Sequence, residues 1–491
     1  GDNGQLPCRK YRLIYQQKGQ KSMKLTDFLD NVPAALKDIE ITGITNDSRK
    51  VTGGCAFVCI VGTASDGHDY AAAAAEKGAA VIIAQRDTGL SDQIVVADTH
   101  KAYAKGCPAC FGNPAESLKL NGITGTNGKT TVTYLIKSVL EQLGCKVGLI
   151  GTIKNMICDE ELEAKNTTPD AYELHGLFRR MVDAGCEYCV MEVSSHALDQ
   201  DRVNGLHFAV AGYTNISQDH LDYHKTMENY VDAKKKLFSM CDVGVFNADD
   251  GWYERMCSDV PCRKITYSAE NGTSDYIAKG AIFRADGVNF ELIGDSVINR
   301  IKLKTPGRVS VYNGLCAASM MLALGFAFSK VSAALCNSTA VKGRAGVGPA
   351  GRDFTVIIDY AHTPDGIENI LATMEQIKTG RLVALFGCGG DRDRTKRPKM
   401  AAAAAEYADF LIVTSDNPRT EDPQSIINDA LEGLKDTDTP YVVVVNRAEA
   451  IRYAIENAKP NDIIVLMGKG HETYQILADK TIHFDEREVV K

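Results

Sequence analysis

One segment of this chain, residues 118–143, constrains the fold more than any other. Residues 118–123 form an apolar, strand-like run, and apolar residues then recur at helical spacing from Val132 to Leu143. Between the two lies TGTNGKTT, residues 124–131. This order predicts a strand, a tight loop and a helix, which is how an α/β unit built on a parallel sheet begins.

The loop itself is typical of phosphate binding. Gly125 and Gly128 let backbone N–H groups surround anionic oxygens at a helix N-terminus, Lys129 adds a positive charge, and the Thr130 hydroxyl is suited to a Mg²⁺ shell. The usual phosphate-loop spacing has glycine at position 123, where this chain has Ile123. We interpret the loop as an ATP site; a chance GKT in a turn is the alternative.

Length and charge narrow the possible classes of protein. The 491 residues predict about three domains. A formal net charge of −8 argues against broad binding to nucleic acid or to anionic membranes, and no apolar run reaches the roughly 18 residues of a membrane span. Residues 8–24 lack the apolar core of a signal peptide, with Met23 a candidate start and residues 1–22 an extension. We expect a cytoplasmic monomer.

The cysteines favour free thiols. Fifteen of them cannot all pair within one chain, and no export signal accompanies them. Two CxxC pairs, Cys107/Cys110 and Cys186/Cys189, are compatible with a zinc site. The second pair lies in the apolar run 186–193, where a strand would direct the two side chains to opposite faces. Buried thiols are therefore the favoured interpretation.

Three blocks of alternating strands and helices follow one another, at residues 23–117, 118–340 and 341–491. The first contains an alanine-rich helix at 71–77 and a strand at 80–84. The other two contain predicted strands at 146–150, 188–193, 244–247, 355–359, 382–386, 410–414, 441–445 and 463–467. This rhythm predicts doubly wound parallel sheets with ligands at the carboxyl ends of the strands.

Polar clusters follow two predicted strands of the second block, at residues 192–196 and 215–222. A carboxylate at a strand end near a phosphate loop commonly serves Mg²⁺, so Glu192 is a candidate ligand and His220 a further one. A structural histidine is the equally weighted alternative for His220. The lysine run 234–236, taken alone, predicts a solvated helix face.

Together these motifs resemble one family, the Mur ligases, and within it the branch that adds diaminopimelate to a peptidoglycan precursor. The resemblance covers residues 23–490 and implies an α/β, three-domain architecture: a UDP-substrate domain (23–117), a central P-loop-like, doubly wound ATP-binding domain (118–340) and a C-terminal Rossmann-like, amino-acid-binding domain (341–491). Eight motifs occur in the family's order: TGTNGKTT (124–131), NTTP (166–169), EVSSHAL (192–198), DHLDYH (219–224), DYAHTPD (359–365), GCGGDRDRTKRP (387–398), DNPRTEDP (416–423) and GKGHE (468–472).

The resemblance implies site residues for the two larger substrates. Positions that match ATP contacts of the family are Gly125, Thr126, Asn127, Gly128, Lys129, Thr130, Thr131, Asn313, Arg344 and Asp359. Positions that match contacts to the UDP-muramoyl dipeptide are Ser48, Thr63, Ala64, Ser65, Asn166, Thr167, Thr168, Ser194, Gln200 and Arg202.

The resemblance also implies the metal site. Lys234 matches a lysine that is carbamylated in the family, and CO₂ on a neutral amine would turn a cation into a carboxylate able to help hold a second Mg²⁺. The implied metal set is Thr130, Glu192, His220 and Lys234, and the implied catalytic set adds Lys129.

The third domain selects the amino acid in this family. The distal carboxylate of diaminopimelate suits a guanidinium fork from Arg419 and Arg392, with Gly468 and Glu472 at its ammonium end. A surface arginine beside a proline turn is the alternative for Arg419. The full set of matching positions is Arg392, Asp416, Asn417, Pro418, Arg419, Gly468 and Glu472.

The implied activity is ATP-dependent ligation through an acyl phosphate, with Mg²⁺. A lysine-adding relative, a folylpolyglutamate-synthase-like ligase and a P-loop regulatory protein are the alternatives, although the last lacks a guanine-specifying NKxD. Two departures from the family pattern, Ala345-Gly346 for Met-Glu and Val309-Ser310 for Phe-Asn, lie on the expected ATP side.

Overall fold

The computed structural model describes residues 22–62, 65–284, 287–339, 346–347 and 353–491. The chain divides into two compact units, one of Gly1–Gly122, Gly144–Ala211 and Lys236–Asp242 and one of Ile123–Leu143, Gly212–Lys235 and Val243–Lys491. The domain boundaries expected near residues 117 and 340 stay a prediction.

The strands and helices alternate along most of the chain, as the sequence predicts. The strands are β1 (Met23–Lys24), β2 (Glu40–Ile41), β3 (Ile44–Thr45), β4 (Ala56–Val58), β5 (Val81–Ala84), β6 (Gln93–Val95), β7 (Lys119–Thr124), β8 (Val147–Ile150), β9 (Lys154–Ile157), β10 (Glu160–Glu163), β11 (Tyr188–Glu192), β12 (Phe208–Tyr213), β13 (Cys241–Asn247), β14 (Arg263–Ser268), β15 (Tyr276–Arg284), β16 (Gly287–Gly294), β17 (Val297–Leu303), β18 (Gly346–Val347), β19 (Thr355–Asp359), β20 (Leu382–Cys388), β21 (Phe410–Ser415), β22 (Tyr441–Val443), β23 (Ile463–Met467), β24 (Tyr474–Ile476) and β25 (Thr481–His483).

The α-helices are α1 (Ala71–Glu76), α2 (Thr99–Cys110), α3 (Lys129–Gln142), α4 (Ala171–Asp183), α5 (Ser195–Asp199), α6 (Leu221–His224), α7 (Met227–Lys235), α8 (Tyr253–Cys257), α9 (Arg308–Ala323), α10 (Phe328–Asn337), α11 (Pro364–Ile377), α12 (Lys396–Tyr407), α13 (Pro423–Leu431), α14 (Arg447–Glu456) and α15 (Glu486–Val490). Over the described part of the chain, none of the helices is long and apolar enough to cross a membrane.

The first unit contains a small sheet in which β3, β4, β5 and β6 pair in parallel in that order. Alternate residues of these strands enter two apolar clusters, with Ile83 in one and Ile82 in the other. In the same unit β11 pairs in parallel with β8, while β9 and β10 form an antiparallel hairpin beside β8.

The second unit contains a six-stranded sheet in the order β18-β19-β23-β20-β21-β22. All pairs are parallel except β18 with β19. Alternation along each strand fills two cores: Ile357 and Val465 pack toward α11, α12 and α13, whereas Ile358 and Leu466 pack toward α14 and α15. Helices on both faces make this part doubly wound, so its carboxyl strand ends meet at one edge.

The zinc alternative for the two CxxC pairs finds no support. Cys107, Cys110, Cys186 and Cys189 are all buried, and the described residues contain no group of three or more His, Cys, Asp or Glu placed to hold a metal ion. Strand β11 begins at Tyr188, as predicted, so Cys186 lies just before the strand and Cys189 within it. The Cys186 sulfur lies 3.6 Å from the Cys158 sulfur.

Candidate active site

The phosphate loop joins the end of β7 to the start of α3. Gly125 has φ of 141° and Gly128 has φ of 87°, a region that side-chain-bearing residues rarely adopt. A Cβ on Gly125 would lie 1.9 Å from the Thr214 hydroxyl oxygen, and one on Gly128 would lie 2.3 Å from Asn313 Oδ1. Ile123 is buried within β7, so the loop begins after it and the missing glycine has no backbone role there.

Residues after β12 hold this loop from one side. The backbone N–H groups of Thr126 and Asn127 donate to the carbonyl and side-chain oxygens of Asn215, at 2.8 and 3.0 Å. The Thr214 hydroxyl donates to the Asn127 carbonyl at 2.7 Å. The sequence indicated a phosphate role for residues 215–222, and the structure shows how their first residue shapes the loop.

Two lysines converge on one carbonyl of the loop. Lys129 Nζ donates to the carbonyls of Gly125 and Thr126 at 2.9 Å each, and Lys234 Nζ donates to that of Gly125 at 2.8 Å. The solvated-face interpretation was therefore wrong for Lys234, which is 2% exposed. Burial, reinforced by the charge of Lys129, lowers the pKa of Lys234 well below its ordinary value, while Asp219 opposes this shift.

His220 lies beside a buried carboxylate. Its backbone is left-handed with φ of 54°, its side chain is 44% exposed, and its Nε2 lies 3.4 Å from Asp219 Oδ2. This exposure differs from that of a buried structural histidine. Burial would raise the pKa of Asp219, but the charges of Lys396, His220 and His362 outweigh burial and lower the pKa.

The ion pair between Asp219 and Lys396, 3.0 Å long, ties the first residue of α12 to the loop before α6. Breaking a buried pair leaves an uncompensated charge, so Lys396→Met should lower the free energy of unfolding by about 3 kcal/mol at pH 7. Because Asp219 has a depressed pKa in the folded state, its contribution is present above the ordinary carboxyl pKa and lost on acidification.

The loss of unfolding free energy in Lys396→Met should therefore become smaller as the pH falls below about 4. Denaturant titrations at several pH values measure it. Lys399→Met is the matched control, since Lys399 is exposed and donates to the neutral Gln218 rather than to a carboxylate. A deficit equal in both variants, or constant with pH, would contradict the assignment.

Another residue that the sequence did not single out reaches the phosphate loop. Asp365, in the first turn of α11, accepts a hydrogen bond from Asn127 Nδ2 at 2.7 Å. It ends the DYAHTPD motif, so the motif was a usable signal. The motif's first residue, Asp359, ends β19 and accepts from the Ala361 N–H at 2.8 Å.

The other implied ATP positions are partly described. Thr130 and Thr131 are buried in the first turn of α3, and Asn313 is buried in α9 against Gly128. Arg344 and Ala345 lie outside the described residues. Val309 and Ser310 occupy the first turn of α9, where the Ser310 hydroxyl donates to the Pro306 carbonyl at 2.9 Å.

In the first unit, Glu192 ends β11 as a buried side chain. Its two carboxylate oxygens accept from the N–H and the hydroxyl of Thr152, at 2.9 and 3.0 Å. Thr168 donates to the Glu192 carbonyl at 2.8 Å. Thr152 was missed by the sequence analysis because nothing in its local sequence marks it.

Several implied UDP-muramoyl-dipeptide positions gather around Glu192. Thr167 lies 3.0 Å from Thr152, oxygen to oxygen, and the Ser194 N–H donates to the Thr168 hydroxyl at 3.1 Å. Arg202 donates to the Thr168 carbonyl at 3.0 Å, and it also donates to Gln200 Oε1 at 2.6 Å. Thr167 and Thr168 of the NTTP motif therefore lie in one polar cluster with the EVSSHAL motif.

The remaining positions of that set lie elsewhere. Ser48 lies in the turn after β3, where its carbonyl accepts from Lys77 at 2.8 Å. The Ser65 carbonyl accepts from the Gly62 N–H at 2.9 Å, and Asn166 is exposed before α4. Thr63 and Ala64 lie outside the described residues.

The carboxyl ends of β21 and β23 bring most of the implied amino-acid positions together. Asn417 Nδ2 donates to Glu472 Oε2 at 3.0 Å, and a Cβ on Gly468 would lie 2.5 Å from Asp416 Oδ2. Asp416, Asn417 and Pro418 are buried. The DNPR and GKGHE motifs are thus adjacent in space.

Arg419 and Arg392 share this edge of the sheet. Arg419 has φ of 53° and its Nη1 donates to the Gly390 carbonyl at 2.7 Å. Burial, and then the neighbouring charge of Arg392, lower the pKa of Arg419. An anionic group between two such cations would relieve both effects. Arg392 itself is exposed.

The described residues suit Mg²⁺ held largely by phosphate. This ion usually keeps several waters and takes one or two protein ligands beside the phosphates, so no preformed cluster of three ligands is needed. In the second unit, Thr130 lies in the first turn of α3 and Lys234 contacts the loop, with His220 in the segment before α6. Glu192 belongs to the first unit.

Comparison with known proteins decides the family. Three family profiles match: "Mur ligase family, catalytic domain" at residues 40–141, "Mur ligase middle domain" at 123–321 and "Mur ligase, glutamate ligase domain" at 343–470. The chain belongs to the Mur ligase family. Its α/β, three-domain architecture is that of the family, and it is an ATP-dependent ligase.

Individual relatives agree with this assignment. A Clostridium botulinum protein named UDP-N-acetylmuramoyl-L-alanyl-D-glutamate–2,6-diaminopimelate ligase is 47% identical over 462 residues, which are 92% of this chain and 95% of the relative. A solved structure with the same name has a TM-score of 0.70 at 30% identity and covers 96% of this chain and 98% of its own. A Mycobacterium tuberculosis folylpolyglutamate synthase, 20% identical with a TM-score of 0.63 over 75% of this chain and 91% of its own, shares the fold alone.

Proposed function

We propose that this Mur ligase joins meso-diaminopimelate to the D-glutamate γ-carboxylate of UDP-N-acetylmuramoyl-L-alanyl-D-glutamate, in peptidoglycan precursor synthesis. The observation that carries the proposal is the 47% identity across nearly the whole chain to a relative named for this reaction. The placement of Arg419 within the electrostatic influence of Arg392, Asp416 and Glu472 supports the choice of amino acid, since the distal head of diaminopimelate carries both charges.

The reaction has two steps. The γ-carboxylate attacks the ATP γ-phosphate and releases ADP, giving an acyl phosphate; the diaminopimelate amine then attacks the acyl carbon and releases phosphate. Lys129 and the backbone N–H groups of the loop would offset the charge that builds on the transferring phosphate. The enzyme therefore acts mainly by positioning and by charge neutralisation.

Mg²⁺ would be held through Thr130, Glu192, His220 and carbamylated Lys234, and its charge would further neutralise the phosphates. The surroundings of Lys234 favour its carbamylation. A neutral amine is the form that reacts with CO₂, and burial favours that form of Lys234. The negative carbamate would attract the ammonium of Lys129, whereas a protonated Lys234 would repel it.

Further assignments complete the proposal. Ser48, Ser65, Thr167, Thr168, Ser194, Gln200 and Arg202 are candidate contacts for the UDP-muramoyl dipeptide. The hydrogen bonds among Thr168, Ser194 and Arg202 support this, because they order the cluster at the end of β11. We further propose a monomeric cytoplasmic enzyme that binds no nucleic acid, in keeping with its net charge of −8.

ADP release tests the proposed function. It should depend on both the UDP-muramoyl dipeptide and diaminopimelate, with one new peptide bond formed for each ADP. ADP release with a pterin polyglutamate acceptor and glutamate, or with no acceptor at all, would refute the proposal.

Arg419 should determine which amino acid is used. Lysine lacks the distal carboxylate, so it would leave the guanidinium without its anion and lose charge-assisted contacts worth roughly 1.5–3 kcal/mol each. Wild type should prefer meso-diaminopimelate by at least about a hundredfold. Arg419→Ala should remove most of that preference and leave the KM for ATP little changed. A competition assay with both amino acids measures the ratio, and an unchanged ratio would contradict the role.

A further inference from the structure

Lys469 lies among the candidate amino-acid residues but belongs to none of the sets implied by the family resemblance. It follows β23 in the GKGHE motif, and its side chain is fully buried at 0% exposure. A lysine is almost never fully buried unless its charge is paired. The partners of Lys469 therefore indicate the role of its buried charge.

Three oxygens surround its ammonium group. Lys469 Nζ donates to Asn417 Oδ1 and to Glu472 Oε2, at 2.9 Å each, and forms an ion pair with Asp416 Oδ1 at 3.3 Å. Two of its three N–H donors are thus used in hydrogen bonds, and a second carboxylate lies close enough to compensate the charge. All three partners belong to the candidate site for the distal end of the amino acid.

Lys469 and a backbone N–H group together determine which way the Asn417 amide points. Asn417 Oδ1 accepts from both Lys469 and the Ile476 N–H, at 2.9 Å each. With its oxygen so occupied, its NH₂ group must face Glu472, to which it donates at 3.0 Å. Lys469 thus contacts both the amide and the carboxylate and, with the Ile476 N–H, holds them in one arrangement.

The charges of this cluster favour a cation. Asp416 and Glu472 contribute two negative charges and Lys469 one positive charge. Of the two arginines whose charges also act on these carboxylates, Arg447 is paired with Glu486, and Arg419 is the proposed partner of the distal carboxylate of the substrate. One substrate ammonium would then balance the carboxylate charge that remains. Without Lys469, two carboxylates would face each other in a buried place, which is costly unless one of them takes up a proton.

We propose that Lys469 is a positioning residue that preassembles Asp416, Asn417 and Glu472 to receive the ammonium group of the incoming amino acid. The proposal rests on the proposed function, since it concerns the amino-acid substrate. Lys469 does not touch the phosphate loop in this arrangement, so its effect should be confined to the second substrate.

Lys469→Met tests the proposal, because methionine keeps most of the stem and removes the charge. The KM for diaminopimelate should rise about tenfold to a hundredfold, while the KM for ATP and that for the UDP-muramoyl dipeptide change less than about twofold. Arg381→Met is the matched control. Arg381 forms an ion pair with the buried Asp462 at 2.6 Å. The pair lies at the amino ends of β20 and β23, whereas Lys469 follows the carboxyl end of β23. Arg381→Met should cost stability and leave all three KM values unchanged.

Lys469→Ala with n-propylammonium keeps the proposal testable if loss of charge weakens the fold. The added amine replaces the missing stem and charge, and should restore the KM for diaminopimelate; 1-propanol at the same concentration should not. Thermal melting of each mixture follows folding separately. Rescue of melting without rescue of the KM, or equal rescue by the alcohol, would assign Lys469 to stability alone and overturn the proposal.

The two failures are distinguishable. If wild type makes no diaminopimelate adduct, the proposed function is wrong whatever the variants do. If wild type makes the adduct and Lys469→Met raises the three KM values together, or none of them, the proposed function stands and the role of Lys469 is refuted.

Discussion

Lys129→Ala should lower the rate of ADP formation about a thousandfold or more. Lys129 lies half-buried at the first position of α3, with its ammonium held by the Gly125 and Thr126 carbonyls. The same two bonds hold the ammonium against the loop, where charge would gather on the transferring phosphate in the proposed reaction. Loss of one preorganised donor to such charge typically costs a factor of about 10² to 10³, and loss of a full cation costs more.

The fold should survive this change, because the side chain is only partly buried and its partners are carbonyls that water can satisfy. Circular dichroism and thermal melting check this. Lys137→Met is the control on the same helix, since Lys137 is buried and paired with Glu141 yet lies two turns from the loop. Turnover close to wild type in Lys129→Ala would remove the basis for placing ATP at this loop.

The strands were predictable where the sequence contains an uninterrupted apolar run. Strands β19 and β23 have the predicted bounds. Strand β20 is two residues longer than predicted and β21 is one residue longer. Strands buried on both faces read as continuous apolar segments, which is why the parallel sheets were visible in the sequence.

The antiparallel strands were not foreseen, and the reason is physical. Strand β10 is exposed along most of its length, and β15 is exposed over its second half. Such strands lack both a continuous apolar run and a clean alternation, so their sequence does not distinguish them from loops. Their register is set by pairing with neighbours, which is a tertiary effect.

The candidate site was predictable where its chemistry lies within one motif. Gly125, Gly128 and Lys129 act through spacing along the chain, and a sequence records spacing. Asp365 and Lys396 act through partners 238 and 177 residues away. Only the packing of α11 and α12 creates those contacts, so local sequence could not reveal them.

The burial of Lys234 is a further property that local sequence does not reveal. A lysine triplet normally covers a solvated helix face, and Lys236 is indeed exposed while Lys235 is half-buried. The helical turn carries Lys234 inward to the Gly125 carbonyl. The family resemblance singles out this residue, and its burial beside Lys129 supplies a chemical reason for the proposed carbamate.

Lys234→Ala should be nearly inactive, about a thousandfold below wild type or lower, if Lys234 acts as its carbamate. The neutral amine attacks CO₂, a C–N bond forms, and one proton is released to solvent. A carbamate keeps one N–H, so the 2.8 Å bond to the Gly125 carbonyl can persist while the new carboxylate faces Lys129. The variant would lose a negative group beside the phosphates and their Mg²⁺.

Acetate should restore part of the activity of Lys234→Ala, because a small carboxylate can occupy the space that the side chain leaves, whereas chloride at equal ionic strength should not. Lys235→Ala is the neighbouring control: Lys235 bonds Ser258 at 3.0 Å, away from the loop, and its loss should change turnover little. Wild type prepared in bicarbonate should show the added CO₂ by ¹³C NMR with labelled bicarbonate. A free amine in wild type together with an active Lys234→Ala would exclude the carbamate, and the low pKa of Lys234 would then reflect burial against Lys129 alone.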